Sequence, residues 1–409
     1  MTSAIIITIC ILLLIAYVFE LTSSKTKIPS VVLLLFMGWA VKELTILLDI
    51  HLPNFSLILP ALGTIGLILI VLEGSLELEL NRSKFGLIGS SFLAALGPMI
   101  TLGFLLVTVF RYVGTPGLKT SLINAVPLCI ISSAVAIPSV RNLTSHNREF
   151  IIYESSFSEI LGILIFNFLM LNDTIDKTSF KNFTLQIVLI TFLSFLATIG
   201  LSFLLSKIEH HIKFIPIIVM VILIYVVSKI YHLPALIFVL IFGLAMGNLV
   251  KLKRFKWIEK FQIDELNKEA QKFKELTNEG SFLIRTLFFL IFGYSIDTRE
   301  ILNIDTFIWA LAIGFFIFAI RAIYLKLTKL PIQPLLFVAP RGLITILLFL
   351  SIGPKYAIPF LNKSLIIQVI VLTALVMMLG LMICKPQTNE QKVSEGTPSN
   401  KKNQELMTA

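Results

Sequence analysis

Apolar runs of about 20 residues recur along the chain, separated by short polar or Gly/Pro-bearing stretches. About thirteen can be drawn, near 3–20, 28–48, 55–76, 85–110, 118–140, 148–170, 184–206, 213–231, 233–250, 280–297, 303–326, 331–353 and 363–384. Each is long enough to cross the hydrocarbon core of a bilayer as a helix. The expected fold is therefore an all-α polytopic membrane protein of about 13 transmembrane helices, occupying residues 1–385. The first run lacks a basic leader and a small-residue cleavage site, and reads as a retained helix. Between runs nine and ten, the segment KLKRFKWIEKFQIDELNKEAQKFKELTNEG spaces Trp257, Phe261, Leu266, Phe273 and Leu276 at mixed short intervals among lysines and glutamates. That pattern suits a helix lying on the membrane surface, so residues 251–280 are assigned to an amphipathic cytoplasmic connector. The polar stretch 386–409 reads as a disordered cytoplasmic tail.

Polar residues inside the runs are few and grouped. Span six, FIIYESSFSEILGILIFN, carries Glu154 and Glu159 in an apolar setting. A charge at the bilayer centre costs about 2.5–3.5 kcal/mol to insert, so each needs a partner or a use. At the helical repeat, Ser155 and Glu159 share one face while Glu154 and Ser158 share a neighbouring one. The first stripe is expected to face an ion path and the second a structural partner; two merely paired buried charges are the alternative. Glu73, in LIVLEGSLELEL at the end of span three, is a third buried acid unless it snorkels to the interface.

Two runs are interrupted. In span five Pro127 and Pro138 flank Ser132, Ser133 and Ala134. Proline removes a backbone donor and crowds the preceding turn, so a break near these residues is expected, with a plain kink as the alternative. Its carbonyls and hydroxyls, Ser132 among them, suit a small cation. In span twelve, LLFVAPRGLITILL places Pro340, Arg341 and Gly342 in a second apolar run. The ending LEGSLE of span three can also be laid on FGYSID of span ten. Spans five and twelve are seven apart, as are three and ten, so the two six-helix repeats run in opposite directions through the membrane. Inverted repeats with two crossing broken helices point to a secondary transporter with a midplane site. Arg341 keeps its proton and needs carbonyls or a carboxylate close by, and Glu154 is the expected mate. Arg321 and Arg285 are further buried cations that either cap broken-helix carbonyls or snorkel.

The net charge of +10 could indicate nucleic acid or anionic lipid, and its distribution decides. With the N-terminus outside and the C-terminus in the cytoplasm, eighteen loop lysines and arginines and four from Lys385 onward fall on the inner side, against eight on the outer side. This is the positive-inside bias of a multi-pass protein, placed in a bacterial plasma membrane, with lipid and not nucleic acid as its surroundings. Cys10, Cys129 and Cys384 fall within spans, so no disulfide framework is indicated. His51, His146, His210, His211 and His232 sit at span ends without metal-ligand grouping. With no nucleophile–base pair in the spans either, neither an enzyme nor a cofactor is expected.

The string YESSFSEILG resembles the GESLFNDG signature on the sixth helix of monovalent cation/proton antiporters, the sodium/proton exchanger group. LEGSLEL on span three, the interrupted span five, FGYSID on span ten, an arginine on span eleven and APRGLITI on span twelve follow in the order of that family. The resemblance implies that Glu159 holds the position of the ion-carrying aspartate and Ser158 that of the asparagine before it. It also implies that Glu154 and Arg341 match a structural ion pair, that Ser155 and Glu73 match oxygen donors, and that Ser132-Ser133-Ala134 align with a Thr-Asp-Pro in the broken helix. The departures are the serine-glutamate pair in place of asparagine-aspartate and the missing span-five aspartate. The function so implied is exchange of a monovalent cation (sodium, or else potassium or lithium) for protons by alternating access, electroneutral, in a homodimer. Core spans at about 85–170 and 303–384 would move against a scaffold of the remainder. The alternatives are a sodium-coupled organic anion symporter of similar architecture and a non-transporting sensor paralogue.

Overall fold

The computed structural model describes residues 2–26, 29–49, 58–78, 84–140, 143–172, 174, 176–207, 214–231, 233–248 and 263–384. Among them every expected span corresponds to a helix or a broken pair, and there is no strand. Spans one to four are α1 (Thr2–Thr26), α2 (Ser30–Leu47), α3 (Leu59–Glu77) and α4 (Phe85–Gly114). Span five is split into α5 (Leu118–Cys129) and α6 (Ser133–Ser139), and span six is α7 (Ser145–Leu171). Next come α8 (Lys177–Lys207), α9 (Phe214–Ile230), α10 (Leu236–Gly247) and α11 (Ile263–Tyr294), which contains span ten. A single-turn helix, α12 (Thr298–Ile301), precedes span eleven, α13 (Ile304–Leu327). Span twelve is a 3-10 turn (Leu335–Phe337) followed by α14 (Leu343–Leu350), and span thirteen is α15 (Lys363–Ile383). Among the described residues, eight helices are long and apolar enough to cross a membrane by those measures alone.

Local chemistry starts these helices where the sequence changes character. Pro29 stands at the N-cap of α2 and Pro60 in the first turn of α3, positions where a missing N–H costs nothing. Asn303 accepts from the backbone of Asp305 and Thr306 at 3.1 and 3.4 Å, and Asn362 from that of Leu365 at 3.1 Å, satisfying donors that a helix start leaves orphaned.

Packing follows the inverted repeat. α3 packs on α10, and α11 packs on α2, which is the same contact in both halves once span three is matched to ten and span two to nine. Glycine permits both approaches: a Cβ on Gly243 would strike Ser75, and one on Gly38 would strike the backbone of Leu290. The pairings α4 with α7 and α13 with α15 correspond in the same way. Even the matched helix endings behave alike, since Ser75 Oγ donates to Leu72 O at 2.9 Å and Ser295 Oγ to Phe292 O at 2.7 Å.

The connector differs from its expected form. Residues 263–280 are not a separate surface helix but the first half of α11, running unbroken into span ten. Their apolar stripe meets protein: Ala270, Phe273 and Thr277 are buried, and the Phe273 ring lies 6.4 Å from that of Phe214 and 5.9 Å from that of Phe242. Trp257, Phe261 and the rest of 251–262, the tail 386–409, and His51, His210, His211 and His232 lie outside the described residues.

Candidate functional site

The two interrupted spans touch at their breaks. Residues 130–132 are extended, and the Ser132 amide donates to Pro340 O in the other break at 2.9 Å. A break in a low-dielectric interior leaves amides and carbonyls that must be satisfied by protein. On one side of the crossing, Ser158 Oγ of α7 accepts from the Ile131 amide at 2.9 Å. On the other, Thr373 Oγ1 of α15 accepts from the Arg341 amide at 3.1 Å. Spans six and thirteen are partners in the repeat, so one hydroxyl from each half serves the break beside it.

The buried cations are distributed differently from the expected pairing. Glu154 does not pair with Arg341: Arg321 of α13 grips it in bidentate fashion, Nη1 to Oε1 at 2.6 Å and Nη2 to Oε2 at 2.8 Å, while Arg321 Nε donates to Leu335 O at 2.7 Å. Both side chains are buried. Arg341 instead donates from Nε to Leu128 O at 2.6 Å and from Nη1 to Ala339 O at 2.9 Å. Leu128 lies in the last turn of α5, where unpaired carbonyls and the helix dipole present negative charge, so a guanidinium is stabilised there without a carboxylate. Arg285 neither snorkels nor caps a break. It is buried between Glu20 and Glu73, 4.0 Å from an oxygen of each.

Glu159 takes the opposite pole. Its carboxylate accepts from the Ser133 amide at 2.7 Å and from Ser133 Oγ at 2.6 Å, at the start of α6, where helix amides point outward and favour an anion. The side chain is buried and lines a small cavity of about 10 Å³ with Ser133, Ser156, Gly74 and Ser75. That is room for about one water-sized species. Immediately adjoining, and sharing Ile70, Gly74, Leu78 and Ser133 with it, is a cavity of about 720 Å³. Glu73, Ala134 and Arg285 line it together with the basic residues Lys84, Arg148 and Lys274. Lys84 pairs with Glu149 there at 3.0 Å. Elsewhere in the core the helices pack closely. Ile130 packs on Gly162, Lys119 donates to the Tyr356 hydroxyl at 2.7 Å, and the Phe360 ring lies 5.7 Å from Phe110 and 5.6 Å from Trp309.

The fold thus brings Glu159, Ser133, Ala134 and Glu73 to one pair of adjoining cavities. It leaves others aside. Ser155 donates its hydroxyl to Ile151 O at 2.7 Å and lines neither cavity, and Ser132 stands at the crossing against Gly342. Pro340 and Gly342 shape that crossing. Two participants were missed in the sequence. Glu20, accepting from Ser30 Oγ at 2.7 Å, interrupts an apolar run much as Glu73 does and could have been found by the same test. Ser156 stands next to the serine that was chosen.

A family model described as "Sodium/hydrogen exchanger, transmembrane" matches residues 9–385. No curated protein matches the chain by sequence. Among solved structures, the sodium proton antiporter MjNhaP1 from Methanocaldococcus jannaschii at pH 8 superposes with a TM-score of 0.67 at 18% identity, covering 93% of this chain and 98% of that one. An electron-microscopy map of the same antiporter gives a TM-score of 0.68 at 17% identity, covering 95% and 100%. At such identities the likeness is one of fold.

Proposed function

Because the chain belongs to the sodium/hydrogen exchanger family, a family of multi-pass membrane transporters and not of enzymes, we propose that it carries a monovalent cation and protons in opposite directions by alternate occupation of Glu159. Sodium is the first candidate, with potassium and lithium as further ones. The observation that carries this reading is a carboxylate out of bulk water beside a cavity of about 720 Å³. Removing water disfavours the bare anion, so the group is stabilised by a proton or by a metal cation, and one carboxylate does not hold both. The Ser133 donors orient the carboxylate without neutralising it.

Alternating access follows if α4–α7 with α13–α15 move as a core against the remaining helices. The Glu154–Arg321 pair and the Arg341 contacts join elements within that core, so they would travel with it intact. Glu73 and Arg285, on α3 and α11, would stay with the scaffold. One exchanging carboxylate implies one cation per proton and therefore electroneutral exchange. Vesicle antiport measured with sodium, potassium and lithium between about pH 6 and 9 tests the reading, and Glu159→Gln is expected to abolish exchange. Exchange retained in that variant overturns the assignment.

A further inference from the structure

Serine inside a helix ordinarily returns its hydroxyl to a carbonyl three or four residues back. Ser75, Ser90, Ser121, Ser139, Ser155 and Ser351 all do so here. Ser156 does not. The residue is 7% exposed, and its Oγ has no hydrogen-bond partner among the described residues. A buried hydroxyl left unsatisfied is costly, and such an atom calls for a ligand. It lies one turn before Glu159 on α7, so the two share a wall of the helix, and both line the small cavity. Across that cavity runs α3, where a Cβ on Gly74 would come no nearer than 3.5 Å to the Ser156 oxygen, so the glycine neither fills nor blocks the space.

We propose that Ser156 is a direct oxygen ligand of the transported cation. The proposal rests on the reading of Glu159 as the exchanging group. A hard alkali cation takes oxygen donors, and the cavity offers the Glu159 carboxylate with the Ser156 and Ser133 hydroxyls around a space of about 10 Å³. Ser155 lines neither cavity.

The test is cation/proton exchange in proteoliposomes of the full chain, with sodium binding to the purified protein followed by calorimetry. Ser156→Ala is expected to raise the apparent KM for sodium about tenfold or more, the scale of one lost contact to a charged group, while kcat at saturating sodium changes less than about threefold. Ser156→Thr keeps the hydroxyl and is expected to stay near the parent KM. A Ser156→Ala KM within about twofold of the parent overturns the proposal, as does an equal loss in Ser156→Thr, which would mark a packing role. Exchange surviving in Glu159→Gln signals failure of the underlying reading instead. A parent that neither exchanges nor binds sodium overturns both.

Discussion

At the scale of single residues, the bidentate clasp of Arg321 on Glu154 is a buried, charge-assisted contact of the strong class. Breaking such a pair leaves a buried charge uncompensated and costs about 3–5 kcal/mol, whereas replacing both partners by apolar groups is often close to neutral. Arg321→Met is therefore expected to lower the apparent melting temperature in detergent markedly, and Arg321→Met with Glu154→Leu to recover most of the loss. Arg341→Met with Glu154→Leu should show no such recovery, because Arg341 serves carbonyls. Recovery in the second pair but not the first would reverse the assignment. Both arginines were legible as buried cations in need of partners. Their partners were not, because residues more than 160 positions apart meet only after the bundle is assembled. Ser155 and Ser156 show a related limit: helical periodicity gives the angle between side chains but not the direction of the cavity.

At the scale of elements, the crossing of the two breaks leaves no slack. A Cβ on Gly342 would lie 2.6 Å from Ser132 Oγ and 2.9 Å from Val135 Cγ2, closer than real contacts allow. Gly342→Ala is expected to cost about 1–3 kcal/mol by overpacking, seen as a lower melting temperature and slower exchange. Gly86→Ala, in open space, is the control and should do neither. The short helix α12 gives a prediction in pH. Lys42 donates to Asp297, holding its carboxyl below the usual carboxylate range, and Asp297 also forms a capping box with Glu300. A group whose folded value is depressed stabilises above its unfolded value, and that contribution disappears as pH falls through the folded one. Asp297→Asn should thus melt lower than the parent near neutral pH, with the gap closing below about pH 4. A gap that persists in acid would show that the charge is not its source.

At the scale of the whole molecule, exchange of one cation for one proton moves no net charge. A membrane potential acts on a net unit charge with about 2.3 kcal/mol per 100 mV, so an electroneutral cycle should keep its rate when a potential is imposed on proteoliposomes. A clear voltage dependence would reject the one-for-one stoichiometry. The number of spans, the inverted repeat and the two broken helices were all readable in the chain. Each follows from local physics: a bilayer demands apolar helical stretches of a certain length, proline removes backbone donors, and basic residues favour one side. The buried carboxylates were readable for the same reason, since a charge is conspicuous in an apolar run. Tertiary structure alone decided which arginine holds Glu154, which serine borders Glu159, and whether the amphipathic half of α11 meets lipid or protein. Those choices depend on how helices are rotated and set against one another, and the pattern along one helix does not contain the position of its neighbours.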